Sequence, residues 1–335
     1  VKLKVKRKGA GKLLDFIVER NKVPIRSVDA TYMLTDELGY IKINRFAEST
    51  HDEFVKALKS LQRLGATQLA LDLRDNPGGY ISSAESIADE FLEEGKLILF
   101  TKNKTGKINK TYAKDRGLFE DGEVFILINE NSASASEIVA GALQDNDKGL
   151  IVGRRSFGKG LVQREMALGD GSAVRLTIAR YYTPTGRSIQ RGYAQGSQEY
   201  FKDYQNRYEN GELRSVDSIK VADSLKFKTP LGKIVYGGGG IIPDVFIGKN
   251  TDYEIEHLKY VLRSGYMSGY VFEVLEQDRP YYNGLAQEQF MQEVVVTDEI
   301  VEDFLSFAKV RGIALRAQAY RSDYKRKNSN IGVCI

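Results

Sequence analysis

The chain has 335 residues, of which 42% are hydrophobic and 28% charged, with a formal net charge of +4 at pH 7. That balance is ordinary for a soluble globular protein of one large domain or two smaller ones. No apolar run approaches the roughly 20 residues that a membrane-crossing helix requires, and the single cysteine, Cys334, excludes an intrachain disulfide.

Much of the positive excess lies at the two ends, in Lys2, Lys4, Lys6, Arg7, Lys8 and Lys12 and again in Arg321, Lys325, Arg326 and Lys327. Such runs read as solvated tails, and no nucleic acid is expected as a partner. The first residue is Val1, so the sequence reads as a fragment or a processed product. One cysteine leaves the compartment open between the cytosol and an envelope free of disulfides.

Val1, Leu3 and Val5 alternate with lysines, which predicts a half-buried strand. Phe16 to Val18 and Val23 to Ile25 read as short extended pieces, and Gly39 to Ile43 alternates again. Thr50 is placed as an N-cap before Phe54, Ala57, Leu58 and Leu61 at helical spacing, with Gly65 as the stop. Leu69 to Leu73 predicts a buried strand, Arg74 to Gly79 a turn, and Ile81 to Leu92 a helix. The same plan recurs from Val124 to Leu143, and Leu150 to Val152 adds a strand; strands alternating with helices predict an α/β core.

Ala173 to Tyr182 predicts a long strand with Val174, Leu176 and Ile178 on one face. Residues 190–230 are polar and tyrosine-rich with weak periodicity, and read as an insertion or flap. The glycine run Gly237 to Gly240 precedes Ile241-Ile242-Pro243-Asp244, and the tail from about 250 is helical in character through Ile255, Leu258, Val261 and Leu262.

Chemistry concentrates in Ser132-Ala133-Ser134-Ala135-Ser136-Glu137-Ile138 and Ser156-Phe157-Gly158-Lys159-Gly160. Ser134 sits where a strand ends and a helix begins, a turn that exposes a hydroxyl at a helix N-terminus. The plainer reading is that Ser132, Ser134 or Ser136 caps the helix, with Ser136 and Glu137 well placed to do so. A nucleophilic serine needs a base; with only His51 and His257 in the chain, Lys159 leads, since a lysine in a setting that keeps its amine neutral can serve. Gln163, four residues on, would share a face with Lys159 in an extended segment. A phosphate-binding loop is excluded, because Gly153 to Lys159 has the wrong spacing and Gly160 stands where a hydroxyl residue belongs. The Asn76-Pro77-Gly78-Gly79 turn is structural on one reading; on another its N–H groups, with that of Ala135, receive an oxyanion. Asp145 positions the site or faces solvent. No cluster has metal-ligand spacing, so no metal and no cofactor is expected.

Leu71 to Gly79, Ser132 to Ile138, Phe157 to Gly160 and Gly240 to Asp244, in that order, resemble the carboxyl-terminal processing (tail-specific) serine peptidases. The resemblance implies a Clp protease/crotonase-like spiral core fused to a PDZ domain. It places the nucleophile at Ser134, the general base at Lys159, the lysine's orienting residue at Gln163, an important acid at Asp145, and the oxyanion hole at Gly79 or Gly78 with Ala135. It implies protein or peptide substrates recognised near their C-termini, and a place in the bacterial envelope, expected here as periplasmic. It leaves room for membrane attachment through a segment upstream of Val1 and for a homo-oligomer.

The expected organisation is therefore a PDZ remnant and linker over residues 1–25, a peptidase core over 26–250 and a helical region over 251–335. The alternatives are a catalytically silent scaffold of the same fold and crotonase-like acyl-CoA chemistry. The intact Ser134, Lys159 and Gln163 set argues against the first, and a serine with a lysine partner against the second.

Overall fold

The computed structural model describes residues 1–7, 11–21, 25–114, 116–193, 196–249 and 264–312. The chain divides into two compact units, Val1–Lys249 and Asn250–Ile335. In chain order the first unit opens with an antiparallel ladder, β1 (Lys2–Val5) on β2 (Leu14–Ile17). The hairpin of β3 (Val28–Met33) and β4 (Leu38–Ile43) follows, then α1 (Thr50–Arg63), β5 (Gln68–Asp72) and α2 (Ile81–Asp89). A second hairpin, β6 (Leu97–Asn103) and β7 (Ile108–Tyr112), leads into β8 (Glu123–Ile128), α3 (Ala135–Asp145) and β9 (Gly149–Gly153). The long hairpin of β10 (Leu161–Ala167) and β11 (Ala173–Tyr182) precedes α4 (Gly196–Glu209) and the short strands β12 (Lys226–Lys228), β13 (Ile234–Tyr236) and β14 (Val245–Phe246).

A six-stranded sheet in the order β14-β9-β8-β5-β4-β3 organises the core. Only β3 runs antiparallel to its neighbour. The runs Leu69–Leu71 and Val124–Ile128 are near-continuously apolar because parallel strands in the middle of such a sheet are covered on both faces. Phe54, Leu58 and Leu61, at helical spacing on α1, are at most 1% exposed; each such side chain contributes about 1.5–3 kcal/mol on burial. All eleven residues of α3 are buried, so its polar members must find partners inside the protein. A second sheet of four strands is antiparallel throughout, in the order β10-β11-β6-β7.

The second unit contains α5 (Tyr266–Gln277), α6 (Arg279–Gly284), α7 (Gln287–Glu293) and α8 (Asp298–Val310). Tyr270 packs edge-on against Phe304 and Phe307, with ring centroids 5.4 and 5.5 Å apart. No helix among the described residues is long and apolar enough to cross a membrane.

The mixed α/β architecture is as the alternation of strands and helices predicts. Four local expectations differ. The strand read as half-buried from Val1, Leu3 and Val5 is exposed along the whole of β1. Ser49, not Thr50, precedes the first turn of α1, and its hydroxyl donates to Glu53 Oε1 (2.8 Å) instead of capping the helix. Val174, Leu176 and Ile178 are 38–49% exposed; between Val162 and Gln163 the register with β11 slips by one, making Ile178 an extra residue in its strand. The stretch read as a flap contains α4, in which Tyr200 and Arg207 are the buried side chains among those described. An arginine on the inner face erases the apolar periodicity that announces a helix. Val23, Pro24 and the helical spacing at Ile255, Leu258, Val261 and Leu262 lie outside the described residues.

Candidate active site

Three serines compete between the end of β8 and the first turn of α3, and burial separates them. Ser132 is fully buried; its hydroxyl donates to the Leu73 carbonyl (2.8 Å) and accepts from the Asn129 N–H (2.9 Å). Ser136, also fully buried, donates to the Asn76 carbonyl at 3.0 Å. Ser134 alone of the three is partly open. Its backbone has φ 56° and ψ −111°, a left-handed conformation that a non-glycine residue adopts at a cost of about 1–3 kcal/mol.

The Glu137 carboxylate, one turn into α3, is completely enclosed and accepts four hydrogen bonds. The Ser156 hydroxyl (2.5 Å) and the Gly158 N–H (2.7 Å) reach one oxygen, and the N–H groups of Ser134 and Lys159, both at 2.9 Å, reach the other. Burial pushes this carboxyl up from its ordinary value, and the four donors work against that shift. Ser156 in turn accepts from the Ile241 N–H at 2.6 Å, so the glycine-rich segment that ends at Gly240 buttresses the same loop.

Tyr181, on β11, closes the arrangement from the other side. Its hydroxyl lies 3.0 Å from the Ser134 carbonyl and 2.9 Å from that of Lys159. Burial, and then the nearby Glu137, push that hydroxyl well above its ordinary value, which keeps it a donor. Tyr181→Phe removes only this donor. It is expected to cost about 1 kcal/mol, read as a lower urea midpoint with an unchanged slope.

The main chains of Ser134 and Lys159 are thus locked side by side by one carboxylate oxygen and one phenol. Among the described residues, no hydrogen bond joins the Lys159 side chain to the Ser134 hydroxyl. Gln163 is not brought to the lysine: it lies exposed on β10, and no hydrogen bond links the two.

The glycine turn meets the serine loop at very short range. A Cβ on Gly78 (φ +94°) would stand 2.8 Å from Ser134 Cβ and 2.8 Å from the Ala135 nitrogen. One on Gly79 would stand 1.9 Å from the Phe46 carbonyl oxygen. Gly78 cannot serve as a donor as the chain stands, because its N–H is taken by Asn76 Oδ1 at 2.8 Å. The N–H groups of Gly79 and Ala135 have no acceptor among the described residues. Asn76 Nδ2 donates to the Ile43 carbonyl (2.8 Å), and the Asn76 carbonyl accepts from the Ala133 N–H (3.0 Å), which pins the turn on both sides.

Asp145 lies at the far end of α3, roughly 16 Å of helix from Ser134. It pairs with Arg187 at 2.7 Å, both side chains fully buried, and accepts from the Thr185 N–H (3.1 Å) and hydroxyl (2.6 Å). It anchors the turn after β11 and does not reach the serine.

Glu137, Tyr181, Ser156 and Asp72 carry parts that sequence reasoning did not assign. Glu137 is read from the sequence only as a helix cap, beside Ser136; its reach to Gly158 and Lys159 is tertiary. Asp72 lies in the matched motif. Burial alone would push its carboxyl up, but Arg74, the Tyr40 hydroxyl (2.6 Å) and the Arg74 N–H (2.9 Å) hold it below the usual range and fix the start of the glycine turn. Arg207 of α4 donates to the Ser156 carbonyl at 2.8 Å and props the Lys159 loop from outside.

Residues 37–196 match peptidase family S41, and residues 257–331 match a family of unknown function. The carboxy-terminal-processing protease of Bartonella bacilliformis is 40% identical over 194 residues, which is 57% of this chain and 44% of that protein. The carboxy-terminal processing protease CtpB of Bacillus subtilis is 36% identical over 193 residues, 57% of this chain and 40% of the relative. The solved structure of a photosystem II D1 C-terminal processing protease is 26% identical, with a TM-score of 0.48 over 71% of this chain and 52% of its own. The chain spans less than half the length of these two curated relatives.

Proposed function

The chain belongs to peptidase family S41, the carboxy-terminal processing peptidases, and on that premise we propose that it is a serine endopeptidase working through a Ser134–Lys159 dyad. The observation that carries the assignment is the clamp of Glu137 Oε2 and the Tyr181 hydroxyl on the main chains of both residues.

Ser134 Oγ attacks the scissile carbonyl while the neutral Lys159 amine takes its proton. The tetrahedral oxyanion is received by the N–H groups of Ala135 and Gly79. Gly78 contributes close approach, since a side chain there would strike Ser134. The lysine ammonium then protonates the leaving amine, an acyl-enzyme remains on Ser134, and a water deprotonated by Lys159 releases the acid. Side-chain contacts of this kind tighten when substrate arrives, so the open lysine of the free chain is compatible with the scheme.

The wider setting follows the family. The core is a Clp protease/crotonase-like spiral. The β1–β2 ladder, with Leu3, Phe16 and Ile17 open to solvent, is the remnant of a PDZ domain, and the second unit is a helical C-terminal region. Substrates are proteins or peptides taken near their C-termini, as the names of the relatives suggest, and the compartment is the bacterial envelope, on its periplasmic side.

The test is incubation with an unfolded protein that ends in apolar residues, followed by mass spectrometry of the products and of the acid-quenched chain. Discrete fragments, and a substrate fragment covalently attached to Ser134, are expected. An intact substrate would discard the peptidase reading in favour of a scaffold.

A further inference from the structure

Residues 97–114 hold five lysines and no acidic residue, and residues 171–191 hold no acidic residue either. These segments form β6, β7 and β11, adjacent strands of the second sheet. Register decides which way the side chains face. Tyr181 points inward at the catalytic loops, so Arg180 and Tyr182 point outward. Arg180 pairs across the sheet with Lys102 and Lys102 with Ile108; Tyr182 pairs with Phe100 and Phe100 with Lys110. All of these therefore share the outer face, and Lys104 and Lys107 extend it in the β6–β7 turn.

No side chain of Lys102, Lys104, Lys107, Lys110 or Arg180 has an ion-pair or hydrogen-bond partner among the described residues. A cavity of about 390 Å³ opens among Lys102, Lys104 and Arg180, with Ile178 and Tyr182 in its wall. Exposed apolar groups lie among the charges: Ile108 is 50% and Tyr112 43% exposed.

We propose that this outer face docks the chain on an anionic lipid bilayer. Unpaired lysines complement the anionic head groups. The interspersed isoleucine and aromatic side chains enter the head-group boundary while the ammonium groups remain in water. A broad sheet face with scattered apolar groups suits a surface of lipids better than an acidic protein, which would be anchored by large side chains in a well-packed pocket. The inner face of β11 carries Tyr181, so docking leaves the catalytic loops on the side away from the lipid. The inference stands independently of the peptidase reading.

The experiment is co-sedimentation of the chain with phosphatidylcholine vesicles, with and without phosphatidylglycerol. Binding is expected only to the anionic vesicles, with release by salt. The triple variant Lys102→Glu/Lys104→Glu/Lys110→Glu reverses three charges and is expected to lose well over about a hundredfold in partitioning. Glutamine at the same three positions should give a smaller loss, and Lys56→Glu/Lys59→Glu on the exposed side of α1 should bind like the parent. Failure of the parent to sediment overturns the proposal. So does an unchanged triple variant, which would move the binding to the N-terminal lysines, or retention on polyglutamate without vesicle binding, which would identify an acidic protein as the partner.

Discussion

Ser134→Ala and Lys159→Ala are each expected to slow peptide cleavage by roughly 10⁴-fold or more, and the double variant should be no slower than either single one. The non-additivity is the informative part. A nucleophile without its base and a base without its nucleophile are equally idle, so the second substitution removes nothing further. A fluorogenic peptide assay on the three variants reads it directly, and a multiplicative double variant would show that the two residues act separately. Ser134→Gly adds a second readout. The φ of 56° is strained for serine and equally for alanine, whereas glycine adopts it freely. Ser134→Gly should therefore be as inactive as Ser134→Ala yet more stable, by about 1 kcal/mol in urea unfolding. Equal stability of the two variants would mean that the left-handed serine stores no strain.

The parts of the fold that follow local pattern were legible in the sequence. Leu69 to Leu73 and Val124 to Ile128 read as buried strands because their apolar runs are short and bounded by turn residues, and α1 reads as a helix from Phe54, Ala57, Leu58 and Leu61. Ser134 could be named from its motif, but its separation from Ser132 and Ser136 rests on which hydroxyls the folded chain consumes. Gln163 shows the opposite case. Its spacing from Lys159 suggested a shared face, yet β10 begins only at Leu161 and leaves the glutamine in solvent. Tyr181 was legible only as one residue of a β-strand; that its face of β11 meets the start of α3 depends on how two sheets pack. Arg207 illustrates why α4 was hidden: it is 2% exposed and held by Asp203 at 2.8 Å, and a charge buried through pairing looks like a surface residue to any hydropathy pattern.

The same reasoning makes Glu137→Gln the most revealing change outside the dyad. The carboxylate accepts from four donors and donates to none. A glutamine of the same shape offers one accepting oxygen and one amide nitrogen, so on one side two N–H or O–H donors would confront a third. Each buried donor left unpaired costs about 1–3 kcal/mol, and relief comes from parting the Ser134 loop from the Lys159 loop. Cleavage is expected to fall at least about 100-fold, since a displacement near 1 Å in a reacting pair carries a loss of that size. Stability should respond less, because the substitution also removes the cost of burying a charge. Acid should imitate the mutation. Burial raises the Glu137 carboxyl above its ordinary value, so as the pH falls through that raised value the carboxyl takes up a proton, becomes a donor among donors, and the parent loses activity reversibly. Stability runs the other way. The folded chain holds this proton more tightly than the unfolded one, so the group's contribution is fully present below the ordinary carboxyl value and is lost as the pH rises through the raised one. Rate against pH for the parent and for Glu137→Gln decides the matter: the acidic limb should belong to the parent, and an identical limb in the glutamine variant would assign it to another group.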